Sequence, residues 1–324
     1  MKLPNKLDES VDISDYFGRY IGDPIQIDTQ RWDKLNFYQN RFLQRKGWVF
    51  VSYMTEDFIC SVAIVDVGYL GNGFVYLYDR ESNQLYEEKV TIPLAFDINF
   101  HPSLKTDWKL TGISQAWKLL PQNDSYCFSY SGRKIIGEIN FKINKPGLNV
   151  ITHSIGRPFH YTYKNMGLSA SVSIQVNKKQ YQEVGNNAVI DFSFGYPPRT
   201  TTWNWASLMG NAEDGTPIRI NLVAEFNNGL ENALWFGDNI LFLSQSIFKY
   251  SGSIRGSNIK IETTDGILQI QFFPEGFREE TIDVGFLKSE FVQPFGRFEG
   301  IYANNGKPVK IKGIGLLEEH VAIW

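Results

Sequence analysis

A period of two, kept up over almost the whole chain, is the strongest constraint on what this sequence can fold into. Apolar or alternating runs recur at 49–51, 58–67, 74–78, 135–143 and 169–176, the pattern of short buried or half-buried strands. Turn chemistry punctuates them. Asp265-Gly266 between KIETT and ILQIQFF predicts a tight hairpin, and Gly71-Asn72-Gly73, Asp214-Gly215, Asn228-Gly229 and Asn305-Gly306 predict further turns. Strands joined this closely predict an all-β antiparallel sandwich or barrel, because alternating βαβ units need helical patterns between them. The one helical reading is Trp32, Leu35, Tyr38 and Phe42, with Asp28-Thr29 as its cap.

Composition narrows the function classes. With 32 basic and 35 acidic residues the net charge is −3, which gives no electrostatic footprint for nucleic acid. No run approaches the roughly 18 continuous apolar residues of a membrane-spanning helix, and the opening MKLPNKLDES has no apolar signal core. Cys60 and Cys127 both lie in strand-like runs and read as buried free thiols rather than a disulfide, so a cytoplasmic location is expected. His101, His153, His160 and His320 lack metal-ligand spacing, and no Gly-rich dinucleotide or phosphate loop occurs, so no metal or other cofactor is expected.

The two turn clusters at 144–147 and 156–158 fall near the midpoint. They predict an N-terminal barrel or sandwich domain over 1–150 and a C-terminal barrel over 151–324. Barrel mouths and domain interfaces are where apolar ligands bind, so a pocket is expected there.

Chemistry concentrates in the second half. In PPRTTTWNWAS at 197–207, a strand puts Thr202 and Asn204 on one face and Trp203 and Trp205 on the other. Either the tryptophans are core and the polar face meets solvent, or one face lines a cavity where Asn204 orients a ligand and Arg199 holds an oxygen. An ion pair with Asp191 is the competing role for Arg199. Asn221 reads as a pocket residue, with Glu231 and Asn232 following the Asn228 turn. In the terminal GIGLLEEHVAIW, Glu318 and His320 share a strand face, as an acid–base pair needs, while Glu319 points the other way; on pattern alone a frayed, solvated C-terminal strand is the leading reading.

Taken together, these stretches resemble a bacterial family of unknown function, domain-of-unknown-function family 2804. The similar elements are Lys46-Gly47-Trp48, the runs 64–69 and 74–79, Arg157-Pro158-Phe159, Tyr161-Thr162-Tyr163-Lys164, Asp191, the 197–207 motif, Asn221-Leu222, Glu231-Asn232 and the ending from Gly315. That family is similar, more distantly, to carotenoid hydratases, tocopherol cyclase and natural-product cyclases. The resemblance implies two lipocalin-like (calycin-like) antiparallel β-barrels packed together with little helix, and supplies no reaction.

The leading functional expectation is a cofactor-free hydratase, cyclase or isomerase that works by acid–base chemistry. Its substrate would be a hydrophobic lipid, isoprenoid or polyketide-like molecule. Glu231 and Glu319 are the expected acids and His320 the relay. Ligand contacts are expected from Arg199, Thr202, Trp203, Asn204, Trp205, Asn221, Asn232, Lys164 and Asp191. A non-catalytic lipid or isoprenoid carrier is the alternative, and carbohydrate recognition by exposed indoles is a third.

Overall fold

Alternation of side chains along each strand leaves every sheet with one apolar face to bury, and curling that face inward is the simplest solution. The computed structural model describes residues 3–8, 10–95, 98–256, 258–285, 287–304 and 306–324, without the side chains of Leu35, Phe37, Tyr38, Gln39 and Asn304. It shows two curled antiparallel half-barrel sheets, and the chain divides into two compact units, 1–198 and 199–324.

In the first unit the spatial order of the main sheet begins Gln84–Pro93, Leu70–Asp79, Phe58–Asp66, Lys46–Met54, Lys179–Gly195, Arg157–Val176. It continues through Ile135–Phe141, Ser125–Ser131, Ala116–Gln122, Trp108–Thr111 and Ile98–Asn99. Glu88 demonstrates the curl. It sits on the edge strand Gln84–Pro93, yet its carboxylate accepts from Tyr130 Oη at 2.9 Å and from the backbone N–H groups of Arg133 and Ile135, both at 3.0 Å. The interior is filled by large rings, including Tyr53, Trp108, Trp117, Phe128, Tyr161, Phe192 and Phe194. A space of about 10 Å³ remains beside Cys60, Phe128 and Ile174, about the least a water needs.

The second unit's sheet runs Asn239–Phe242, Ala233–Phe236, Pro217–Ala224, Thr200–Ala212, Lys307–Ile323, Lys288–Asn304, Leu268–Asp283, Ile259–Thr263, Ser246–Lys249. Its core is mostly aliphatic, from Ala206, Leu208, Ile220, Leu222, Ile261, Ile270 and Leu317.

Three expectations differ from the structure. The 144–158 region is no linker: Gly147–Ser154 pairs with Arg157–Val176 through a turn at Gly156, and both belong to the first sheet. The unit boundary falls after Pro198 instead, because the long strands Arg157–Val176 and Lys179–Gly195 complete the first sheet against Lys46–Met54. Gly71-Asn72-Gly73 lies inside a strand. A Cβ at Gly71 would meet Ile98 Cδ1 at 2.4 Å and one at Gly73 would meet Leu110 Cδ2 at 2.3 Å, so these glycines admit close neighbours rather than a turn. The expected helix is two pieces, an α-helix Gln30–Leu35 and a π-helix Phe37–Gln44. Thr29 is the N-cap of the first without a side-chain bond, and the preceding Asp28 accepts from Gln30 N–H at 2.9 Å. The side chains of Leu35 and Tyr38, and Asn305 of the Asn305-Gly306 turn, lie outside the described residues.

Both cysteines are free and buried. Among the described residues no helix is long and apolar enough to cross a membrane.

Candidate functional site

Two strands of the second unit position most of the expected residues. Thr200–Ala212 pairs antiparallel with Lys307–Ile323, setting Trp203 opposite His320, Asn204 opposite Glu319, and Trp205 opposite Glu318. Directly opposed side chains share a face. One face therefore carries Asn204 and Glu319 together with core residues Ala206, Leu208 and Leu317. The other carries Trp203, Trp205, Glu318 and His320, with Phe291 opposite His320 on the next strand.

That second face holds a buried acid–histidine cluster. Glu318 is 8% exposed. Its Oε1 accepts from Trp203 Nε1 at 2.7 Å and its Oε2 from Gln293 Nε2 at 3.2 Å. His320 Nδ1 stands 4.0 Å from Glu318 Oε1, and its Nε2 is 2.8 Å from Ser289 Oγ. Trp203 packs edge-on against the imidazole at 4.3 Å between centroids, and Phe291 at 5.3 Å. Burial, with the nearby Arg278 cation, pushes the imidazole down to about 3, so the ring is neutral at physiological pH.

Glu319 has a different partner. It accepts a hydrogen bond from Tyr250 Oη, which also receives Asn204 Nδ2 at 3.2 Å. Burial, reinforced by the Glu319 carboxylate, raises the Tyr250 phenol to about 12. As alternation predicts, Glu319 and His320 point to opposite faces, and the carboxylate beside His320 is Glu318 rather than the expected acid Glu319.

Several expected ligand contacts serve the frame. Asn221 accepts from Trp205 Nε1 at 2.9 Å and donates to the Glu231 carbonyl at 2.8 Å. Asn232 accepts from Val223 N–H at 2.6 Å and donates to the Ser244 carbonyl at 2.7 Å. The Glu231 carboxylate accepts from the Asn227 side chain, inside a turn where Glu225, Asn227 and Asn228 all have positive φ. Arg199 Nη1 and its carbonyl both bond the Trp324 main chain, and Thr202 is half-buried opposite Val321. At 4% exposure, Trp205 is no platform for a sugar ring. An open groove of about 880 Å³ in this unit, between Lys260, Glu262, Gln271, Glu299 and Lys312, includes none of the expected residues.

Lys164 and Asp191 belong to the first unit. They face each other across adjacent strands and form a buried ion pair. His160 lies on the same strand face as Lys164, two alternations away. Burial and the Lys164 cation push its imidazole down to about 3.

Sequence reasoning missed Tyr250, Ser289 and Gln293, which lie 69, 31 and 25 positions from their partners. No local signal marks them. Glu318 was legible from its alternation with His320.

Two curled antiparallel sheets with this strand order define a lipocalin-like two-barrel protein. The chain belongs to the family of the domain of unknown function DUF2804, whose model matches residues 25–324. Among solved structures it is similar to a Nitrosomonas europaea protein assigned to AttH, 15% identical, covering 86% of this chain and 92% of that one with a TM-score of 0.55. CghA, solved with Sch210972, is 9% identical, with 85% and 88% coverage and a TM-score of 0.55. Kievitone hydratase from Nectria haematococca is 12% identical, with 87% and 90% coverage and a TM-score of 0.50. At these identities the likeness is one of fold. No curated protein matches the sequence.

Proposed function

We propose that this chain is an acid–base enzyme of hydratase, cyclase or isomerase type, acting without a redox cofactor on an apolar small molecule. The observation that carries the reading is the buried, neutral His320, set against the Trp203 and Phe291 rings with Glu318 at 4.0 Å. Isolating an imidazole and a carboxylate from water is costly to the fold, and such groups cluster where chemistry needs them. The shared fold with a hydratase supports the same class.

In this reading the substrate is an alkene or enone. As water adds or a ring closes, a proton leaves the attacking oxygen for the imidazole, and Glu318 stabilises the imidazolium that forms. The imidazolium then delivers the proton to the substrate carbon, so His320 ends the cycle neutral. Glu319 and Glu231, engaged by Tyr250 and Asn227, hold the surrounding frame.

The test is a panel of isoprenoid alkenes and polyketide enones incubated with the protein in ¹⁸O-water. A product carrying one labelled water identifies a hydratase, and an isomer of unchanged mass identifies a cyclase or isomerase. Substrate bound and recovered unchanged across the panel makes the protein a carrier and defeats the proposal. His320→Gln is expected to lower turnover about 100-fold or more while circular dichroism stays that of the parent. Undiminished turnover would remove His320 from the mechanism.

A further inference from the structure

We propose that the Lys164–Asp191 pair of the first unit is a binding site for a phenolic or enolic hydroxyl carried on an apolar body. The proposal is independent of any role for His320. Asp191 is 7% exposed, and its Oδ2 takes the Lys164 ammonium. Its other oxygen, Oδ1, is buried and has no hydrogen-bond partner among the described residues. The ammonium offsets the charge, and a buried carboxylate oxygen of this kind is further stabilised by any hydrogen-bond donor that reaches it. Oδ1 can only accept, so the missing group is a donor.

The surroundings say what kind of donor. Register across the sheet places Lys164, Asp191, Phe50, Ala63 and Phe74 in one row, on the face turned away from the ring-filled interior. Phe50 and Phe74 are tilted at 6.3 Å, and the small Ala63 lies between their strands. The neighbouring rows carry hydroxyls already satisfied among themselves, Ser193 to Thr162 at 3.1 Å and Ser61 to Ser52 at 2.9 Å. Asp191 Oδ1 therefore stands beside an aromatic row. A free ammonium ligand is disfavoured by Lys164, and a carboxylate ligand by Asp191. A neutral hydroxyl on a flat apolar body fits both: it donates to Oδ1, and the adjacent ammonium steadies the partial negative charge on its oxygen.

The probe is 4-nitrophenol, with nitrobenzene as the same body lacking the hydroxyl, each titrated into the full chain and followed by difference absorbance. The wild type is expected to bind 4-nitrophenol about 10- to 100-fold more tightly than nitrobenzene. It should hold the probe as the neutral phenol, because the carboxylate opposes a second negative charge, so the bound probe ionises at higher pH than the free one. Asp191→Asn leaves the ammonium without its counter-charge, and the bound probe should then ionise at lower pH than the free one. The double variant Lys164→Met with Asp191→Leu keeps an apolar pair of similar volume and should bind the two probes equally. Equal binding of both probes by the wild type, or no binding of 4-nitrophenol, overturns the proposal without recourse to any variant. So does a preference that survives in the double variant, or a probe titration that shifts the same way in wild type and Asp191→Asn.

Discussion

Glu318 and Glu319 are neighbours in sequence and occupy different chemical worlds. Glu318 faces an indole N–H, an amide and an imidazole. Glu319 faces the apolar core side, where it accepts from a phenol that in turn accepts from the Asn204 amide. The contrast teaches that in a sheet with both faces buried, a one-residue step exchanges one set of partners for another. It also separates roles. A carboxylate beside a neutral imidazole can take part in moving a proton, whereas one that receives a phenol proton donor and little else acts chiefly as an anchor.

Three measurements can break or sharpen this contrast. The largest effect is expected from Trp205→Ala, which empties a fully packed site on the Glu318 face and strands the Asn221 amide. A loss of about 3–5 kcal/mol in denaturant unfolding is expected, with the Tyr250 phenol still titrating at about 12. A Tyr250 titration that moved with this variant would mean the faces are not independent.

Next is the acid side of the stability profile. Folded, His320 is depressed from 6.5 to about 3, and His160 likewise. The folded state then binds fewer protons than the unfolded one, so the contribution of each is complete above 6.5 and is lost as pH falls from there towards 3. His320→Gln should flatten that acid-side decline by an amount on the order of a few kcal/mol. A decline identical to the parent's would show that the imidazole is solvated.

The smallest effect is on the other face. Glu319→Gln should cost about 1 kcal/mol and bring the Tyr250 phenol down from about 12 towards its ordinary 10. In the parent, burial and Glu319 favour the neutral phenol. Its contribution to stability is therefore full below pH 10 and is lost as pH rises through about 12. Ultraviolet titration of tyrosinate reads this directly, and an unmoved phenol would show burial acting alone.

Much of the fold was legible. Strand periodicity and the family resemblance gave two antiparallel lipocalin-like barrels, and the 197–207 motif reads as a strand with its tryptophans on one face, as it is in Thr200–Ala212. The unit boundary was not legible. Glycine and proline at 146–158 mark a tight turn as readily as a linker, and only the pairing of Lys179–Gly195 with Lys46–Met54 decides between them. The site was half legible. Alternation paired Glu318 with His320, but the polar look of Asn221 and Asn232 suggested ligand contacts where the structure places bonds to Trp205, Val223 and the backbone.

By itself the sequence determined the class of fold, because a period of two admits only sheets and their turns. It also determined which residues share a face, because alternation is local geometry. Only the tertiary structure decided which face holds the core, and that Tyr250, Ser289 and Gln293 complete the surroundings of the two glutamates and His320. Ser289 and Gln293 stand on the neighbouring strand Lys288–Asn304 and Tyr250 just past Ser246–Lys249. All lie far away in sequence, and no short-range rule records a contact that exists only once the strands have paired.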